Sequence, residues 1–271
     1  MFTLGIRSIY AKNINSAIKE GERNGFGTVE IHLSSPRLSL SEKKYPSSKT
    51  IIQVHAPMEL SLIFTQENLR ISAKKELKKI IESCRKIGAR CLTLHIGRAP
   101  TYHDVNNKKL ISDDIYPDLY SNLLEGSLKY ITSIAPKNLF ICIENTDNFV
   151  RYQNIIQKYL KTGKLFLTWD IRKSYSYDNG KLIKSQWDFV KKNKKYVKNL
   201  HISGLKGSHG EIKKWDKRFD KFIKLFKEEN LPLIIEIIPL KSALIAQKVI
   251  ARKLNKDNAS LFSANKIALG F

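Results

Sequence analysis

Cysteine and long apolar runs are scarce in this chain, and acidic residues are few beside basic ones. Three cysteines occur, Cys84, Cys91 and Cys142, an odd set with no CxxC pairing. They offer no disulfide framework and are expected in the core of a protein kept in a reducing cytoplasm. No apolar run approaches the roughly 20 residues that cross a bilayer. The opening MFTLGIRSIYAKN lacks a basic stretch followed by an apolar core and cleavage site, so no export signal or membrane contact is expected. Acids are scarce: Asp+Glu number 25 against 48 Lys+Arg, a net charge of +23 with pI ≈ 9.8. Such an excess draws polyanionic partners or anionic substrates by long-range attraction. Much of it, however, sits on predicted helix exteriors, in KKNKK (Lys191 to Lys195) and at Lys213, Lys214, Lys217, Arg218, Lys221 and Lys224, which read as solvated faces.

There is also no Gly/Ser linker, no break in composition and no repeat beyond a β/α rhythm. One domain over residues 1–271 is expected, with 254–271 as a tail of no legible role. Hydrophobic residues make up 42% of the chain, enough for a globular core. Short β-rich runs alternate with helical patterns, the mark of βαβ units and a parallel sheet. Eight strands are drawn at 2–8, 27–33, 51–55, 90–96, 139–144, 165–170, 198–203 and 232–238. Most are continuous apolar runs, as strands covered on both faces are. Leu69, Ala73, Leu77, Ile80, Cys84 and Ile87 recur at steps of three and four, an apolar helical stripe that Thr65 or Asn68 caps and Gly88 ends. Further amphipathic runs fall near 117–134, 150–161, 183–195, 215–229 and 241–253. The crossover SSPRLSLSEKKYPSS is polar and Pro-bounded, and a short or missing helix is expected there. Residues 97–116 form a long loop after the fourth strand. The length and rhythm fit a single (β/α)8 TIM barrel, whose active sites sit at the carboxyl ends of the strands.

Seven of these strands end on a metal-ligand side chain. They read VEIHL (Glu30, His32), IQVHAP (His55), LTLHIG (His95), FICIENT (Glu144), FLTWDI (Asp170), NLHISGL (His201) and LIIEII (Glu236). A carboxylate inside an apolar strand costs several kcal/mol unless it is paired or metal-bound. Glu144, Asp170, His201 and Glu236 suit one Mn²⁺, Mg²⁺, Co²⁺ or Zn²⁺ with positions left for substrate oxygens. His55 and His95, with Glu144 as a bridge, suit a second ion. Strand alternation is taken to turn only one of Glu30 and His32 inward, with Glu30 preferred as a substrate contact.

The ordered set HAP, GARCLTLHIG, IENT, WD, LHIS and IIE resembles the xylose isomerase-like TIM barrel superfamily over nearly the whole chain. That group includes endonuclease IV and sugar isomerases and epimerases such as tagatose 3-epimerase. The resemblance implies a divalent metal at the mouth. In the epimerase branch it implies one ion on residues matching Glu144, Asp170, His201 and Glu236, the two glutamates also shuttling protons. In the endonuclease branch it implies a further zinc on residues matching His55, His95 and Glu144. Both branches favour histidine where this chain has Lys173, and the endonuclease Asp-x-His pair is reduced to Gly207 and His209. A third zinc site is therefore stripped.

Arg98, Arg172, Lys173, Lys206 and Lys241 follow strand ends on the same face, which points to a phosphate-bearing substrate, with His209 beside them. The leading expectation is a metal-dependent sugar or sugar-phosphate isomerase or epimerase with Glu144 and Glu236 as catalytic acid and base. The alternative is an endonuclease IV-like phosphodiesterase acting on abasic or damaged DNA. The third is a basic barrel that binds without catalysis.

Overall fold

The structure, a computed structural model, describes residues 2–8, 11–35, 49–146, 148–207 and 209–268, with side chains described through residue 255. Barrel strands β1 (Thr3–Ser8), β2 (Thr28–His32), β3 (Ile51–His55) and β4 (Cys91–Leu94) come first. A hairpin of β5 (Thr101–His103) and β6 (Lys109–Ile111) follows, and then β7 (Phe140–Glu144), β8 (Phe166–Asp170), β9 (Val197–Ile202) and β10 (Pro232–Ile235). Eight of them close into one ring in the order β1-β10-β9-β8-β7-β4-β3-β2, with every neighbouring pair parallel. The chain has the (β/α)8 barrel fold.

The helices lie between the strands: α1 (Ile14–Arg23), α2 (Glu67–Lys86), α3 (Ser112–Ile115), α4 (Pro117–Ile134), α5 (Gln153–Leu160), α6 (Lys184–Lys192), α7 (Asp220–Phe226) and α8 (Leu240–Ala268). In α2 the residues Leu77, Ile80, Ile81 and Cys84 are buried, each such aliphatic side chain contributing about 1.5–3 kcal/mol. Leu69, expected in the stripe, is 38% exposed. The expected caps are not used either: Gln66 precedes the helix with no side-chain cap bond, whereas Gly88 does take φ +68° just beyond its end. The helix α1 has no counterpart among the expected runs. Asn13 Oδ1 accepts from Ser16 N at 2.8 Å while Ser16 Oγ accepts from Asn13 N at 3.0 Å, a reciprocal cap that fixes its start.

Two expected loops gain structure. Residues 97–116 hold the β5–β6 hairpin and α3, and α8 runs on to Ala268 through most of the expected tail. The polar crossover SSPRLSLSEKKYPSS lies almost wholly outside the described residues.

Period-two alternation sends one side chain in two toward the barrel axis. The register sets Arg7 beside Glu30, His32 beside His55, and Asp170 beside His201. Lower in the barrel lie Gln53, Thr93, Cys142, Thr168 and Asn199, all completely buried. An apolar shell of strand and helix residues thus surrounds a polar column that opens at the carboxyl ends.

Candidate metal centre at the barrel mouth

Glu144 is the hub of that opening. It ends β7 and is 1% exposed, and one oxygen, Oε2, is approached by His55 Nε2 at 3.2 Å and His95 Nε2 at 2.9 Å. Its other oxygen, Oε1, takes the Lys173 ammonium. Burial pushes the Glu144 carboxyl upward, but Lys173, His95 and the two histidine contacts outweigh it and hold the group well below its ordinary range. Burial lowers His95, against the pull of Glu144.

Hydrogen accounting at His55 is decisive for what this trio can hold. Its Nδ1 lies 2.7 Å from the carbonyl oxygen of Ala56, which only accepts, so Nδ1 carries the ring proton. Nε2 lies 3.2 Å from Glu144 Oε2, and whenever the ring is neutral it is this nitrogen that offers a lone pair. Acceptors converging on one point in a dry site are the donor set of a cation, and His55, His95 and Glu144 offer atoms within 4.8 Å of one another.

A second set adjoins it. Glu144, Asp170 and Glu236 also offer oxygens within 4.8 Å of one another, as do ligand atoms of Glu30, His201 and Glu236. Asn145 locks the position of Asp170, accepting from its backbone N at 2.6 Å and donating to its carbonyl oxygen at 3.0 Å. The Arg172 backbone N then donates to Asp170 Oδ1 at 2.8 Å, leaving Oδ2 buried without a hydrogen bond. His201 Nε2 lies 2.9 Å from Glu30 Oε2, and Nδ1 is buried without a hydrogen bond, 3.4 Å from Glu236 Oε1. Glu30 thus holds a proton on Nε2, so that Nδ1 is the nitrogen that offers a lone pair to the centre once the ring is neutral. The orphaned Asp170 Oδ2 and His201 Nδ1 fit a divalent ion held with Glu144 and Glu236.

The charges of this set pull against burial. Burial raises the Asp170 carboxyl, Lys173 opposes, and Glu236 and Glu144 add, leaving it at about 7. Burial lowers His201, but Glu236, Glu30 and Glu144 override this and lift the ring to about 10. Burial also raises Glu236, and His201 and Arg7 outweigh it and draw the carboxyl down.

The remaining expected residues divide by position. Glu30, expected as a substrate contact, is wholly buried, with Oε2 against His201 and Asn199. His32 is inside as well, stacked on His55 with ring centroids 4.3 Å apart. Residues two apart on a strand share a face, which is why both point inward. Arg172 is 1% exposed: its Nε donates to Gly207 O at 2.9 Å and its Nη1 to Tyr175 O at 2.8 Å, under the Tyr177 ring. Expected at a phosphate, it is buried here and spans two loops through these bonds. Lys173 turns inward onto the carboxylates. Arg98 and Lys206 stand exposed on the loops after β4 and β9, and Lys241 stands exposed in the first turn of α8, after β10. His209 Nδ1 lies 3.9 Å from Glu236 Oε2, and no candidate metal cluster among the described residues includes it. Burial lowers this ring, with Glu236 opposing.

One further residue belongs to no expected motif. Arg7 of β1 donates through Nη1 to Glu236 Oε1 at 3.3 Å, closing the ring of charge opposite Lys173. A lone arginine in the apolar run TLGIRS is the signal that could have found it.

No family model matches this chain, and no curated protein sequence matches it either. Solved structures do. A D-tagatose 3-epimerase-like protein superposes with TM-score 0.72 at 18% identity, covering 96% of this chain and 100% of that one. A 3-keto-D-glucoside 4-epimerase from E. coli gives TM-score 0.66 at 14% identity, covering 93% and 98%. Endonuclease IV from Thermus thermophilus gives TM-score 0.65 at 14% identity, covering 93% and 99%. The (β/α)8 barrel fold is thus shared with proteins that include epimerases and an endonuclease IV. Identity this low carries the fold and leaves the reaction to the side chains.

Proposed function

We propose that the barrel is a divalent-metal-dependent phosphodiesterase of the endonuclease IV type, acting on abasic or damaged nucleic acid. One observation carries this reading: Glu144 belongs to two ligand sets at once, one with His55 and His95, which approach its Oε2, and one with Asp170 and Glu236. A carboxylate shared between two ligand sets is the architecture of centres that clamp both sides of a phosphoryl displacement. His55, His95 and Glu144 would hold one ion, and Glu144, Asp170, His201 and Glu236 the other. A divalent ion bound there supplies Lewis acidity toward a phosphoryl oxygen and acidifies water.

The protein's own groups do the rest. Glu30 and the Ala56 carbonyl fix the ring tautomers of His201 and His55, and Asn145 fixes Asp170, so the acceptors are placed before any ligand arrives. Glu236 directs Oε1 to Arg7 and leaves Oε2 on the His209 side of the mouth, where it accepts a proton from the attacking water. Arg98, Lys206 and Lys241 on the rim bind flanking phosphates.

The second reading, a sugar or sugar-phosphate isomerase or epimerase, has its own support. Glu144 and Glu236 converge with Asp170 about one centre, the arrangement two proton-shuttling carboxylates require. One experiment separates the two. A duplex with a single abasic site is incubated with protein loaded with Zn²⁺, Mn²⁺, Mg²⁺ or Co²⁺, with and without chelator. Strand breakage at the site, abolished by chelator and by His55→Ala, is expected. Intact duplex with all four ions overturns the phosphodiesterase. Turnover of a ketose that survives His55→Ala would establish the isomerase instead.

A further inference from the structure

The two ligand sets that share Glu144 are not equivalent, and the difference is Lys173. This residue lies on the short 3-10 turn Arg172–Ser174 that follows β8. Its ammonium pairs with Glu144 Oε1 and reaches Asp170 Oδ2 at 3.7 Å, with the side chain 15% exposed. Glu144 and Asp170 are two of the three carboxylates that a cation on the Asp170 side would use. On the opposite side of Glu144, Oε2 faces the ring nitrogens of His55 and His95, and no lysine or arginine nitrogen contacts it among the described residues.

We propose that Lys173 is a resident counter-cation of the late ligand set, so that metal loads in a fixed order: first His55–His95–Glu144, and then the Asp170–His201–Glu236 side as the ammonium withdraws. The inference rests on reading both clusters as cation sites and does not depend on which reaction they serve.

The physical argument is a competition. An ammonium and a divalent ion a few ångströms apart in a poorly solvated site repel strongly, so both cannot hold Glu144 Oε1 and Asp170 Oδ2. The charges present without metal already come close to balance there. Glu30, Glu144, Asp170 and Glu236 face Arg7, Lys173 and His201 through direct contacts. An ion entering the late set must therefore displace the Lys173 ammonium before it gains its ligands, whereas an ion entering the histidine set replaces only the contacts of His55 and His95 with Glu144 and displaces no lysine. Lysine suits such a part, being a point charge on a flexible four-carbon stem that can turn to solvent from a site already at the edge of the mouth. Arg7, whose guanidinium meets Glu236 at 3.3 Å from β1, does not touch Asp170 or Glu144 and leaves their oxygens to Lys173.

Stepwise metal titration of the purified full chain tests this, with Zn²⁺ or Co²⁺ as the probe and bound ions counted by elemental analysis after gel filtration. The wild type should bind one ion tightly and a second weakly or not at all. Lys173→Gln should leave the first step unchanged and tighten the second by about tenfold or more, the size of effect a neighbouring charge has on a buried carboxylate. Lys173→Arg, which keeps the charge, should retain a weak second step. Should Lys173→Gln fail to fold, the wild type still decides: the tight step must vanish in His95→Ala and survive in Asp170→Asn. Two ions of indistinguishable affinity in the wild type, a second step unmoved by Lys173→Gln, a tight step lost with Asp170→Asn, or no ion bound at all would each overturn the proposal. Ordered loading without strand cleavage would leave it standing while the phosphodiesterase reading fell, and cleavage with two equal ions would do the reverse.

Discussion

At the scale of single residues, the site is understood by asking where each proton and lone pair goes. The Ala56 carbonyl forces the His55 proton onto Nδ1, Glu30 does the corresponding thing to His201, and the Arg172 amide takes one oxygen of Asp170. What results is a convergent set of nitrogen and carboxylate ligands that a divalent cation suits. Glu236 belongs to both chemical readings, so Glu236→Gln should abolish turnover of abasic duplex and of any sugar alike, measured as initial rate; full activity would remove this residue from the site. His201 carries the pH dependence. Its pKa rises from 6.5 to about 10 as Glu236 and Glu30 override burial, so in metal-free protein its stabilising contribution is complete below 6.5 and is lost as pH rises through 10. Ligation needs the ring unprotonated, so filling the late set at pH 8 should release a proton and grow tighter toward pH 10. Calorimetry in two buffers of different ionisation enthalpy reads that proton directly, and an identical apparent enthalpy in both would contradict the assignment. Arg172 serves structure instead: Arg172→Ala strands the Gly207 and Tyr175 carbonyls, and a loss of about 2–4 kcal/mol in denaturant unfolding is expected, with the tight metal step retained.

At the scale of elements, strands were the legible part, because a run such as FICIE or FLTWD can be both apolar throughout and closed by an acid only where a strand ends at a site. Gly88 and the 117–134 helix were legible for similar local reasons. The short turn after β8 was not. Arg172 and Lys173 are adjacent cations on a 3-10 turn, and successive residues there point in different directions, one into the loop packing and one onto Glu144. No periodicity in the sequence distinguishes them. The helix α1 was missed because its reciprocal cap uses Asn and Ser in place of the more familiar Ser/Thr and Glu. The hairpin β5–β6 hid for a plainer cause: its strands have three residues each and none is buried. A different element carries a steric demand that the strand pattern does not announce. A Cβ on Gly5 of β1 would lie 2.4 Å from Ile234 Cδ1 and 2.9 Å from Thr28 Cβ, so its two neighbouring strands are in close contact there. Gly5→Ala should cost about 1–3 kcal/mol by overpacking, read as a lowered denaturation midpoint.

At the scale of the whole molecule, a strongly basic chain of net charge +23 encloses an acidic centre, and the two charges act at different ranges. The centre is buried and works over a few ångströms, while the surface excess steers anions from farther out and is screened by salt. The barrel topology says which lysines matter. Lys206 sits on the loop that follows β9 and Lys241 in the first turn of α8 after β10, at the mouth, whereas Lys192 ends α6 and Lys195 lies in the turn that leads into β9, at the opposite end of the barrel. If the substrate is a nucleic acid held across the mouth, the logarithm of affinity should fall linearly with the logarithm of salt, with a slope of about −0.9 for each duplex phosphate neutralised. Lys206→Ala and Lys241→Ala should each reduce that slope by about 1. Lys192→Ala and Lys195→Ala, which remove the same formal charge from the far end, should leave it unchanged. Equal effects from both pairs would mean that the basic surface binds polyanions all round without presenting them to Glu144, and the nucleic-acid reading of the site would lose its support.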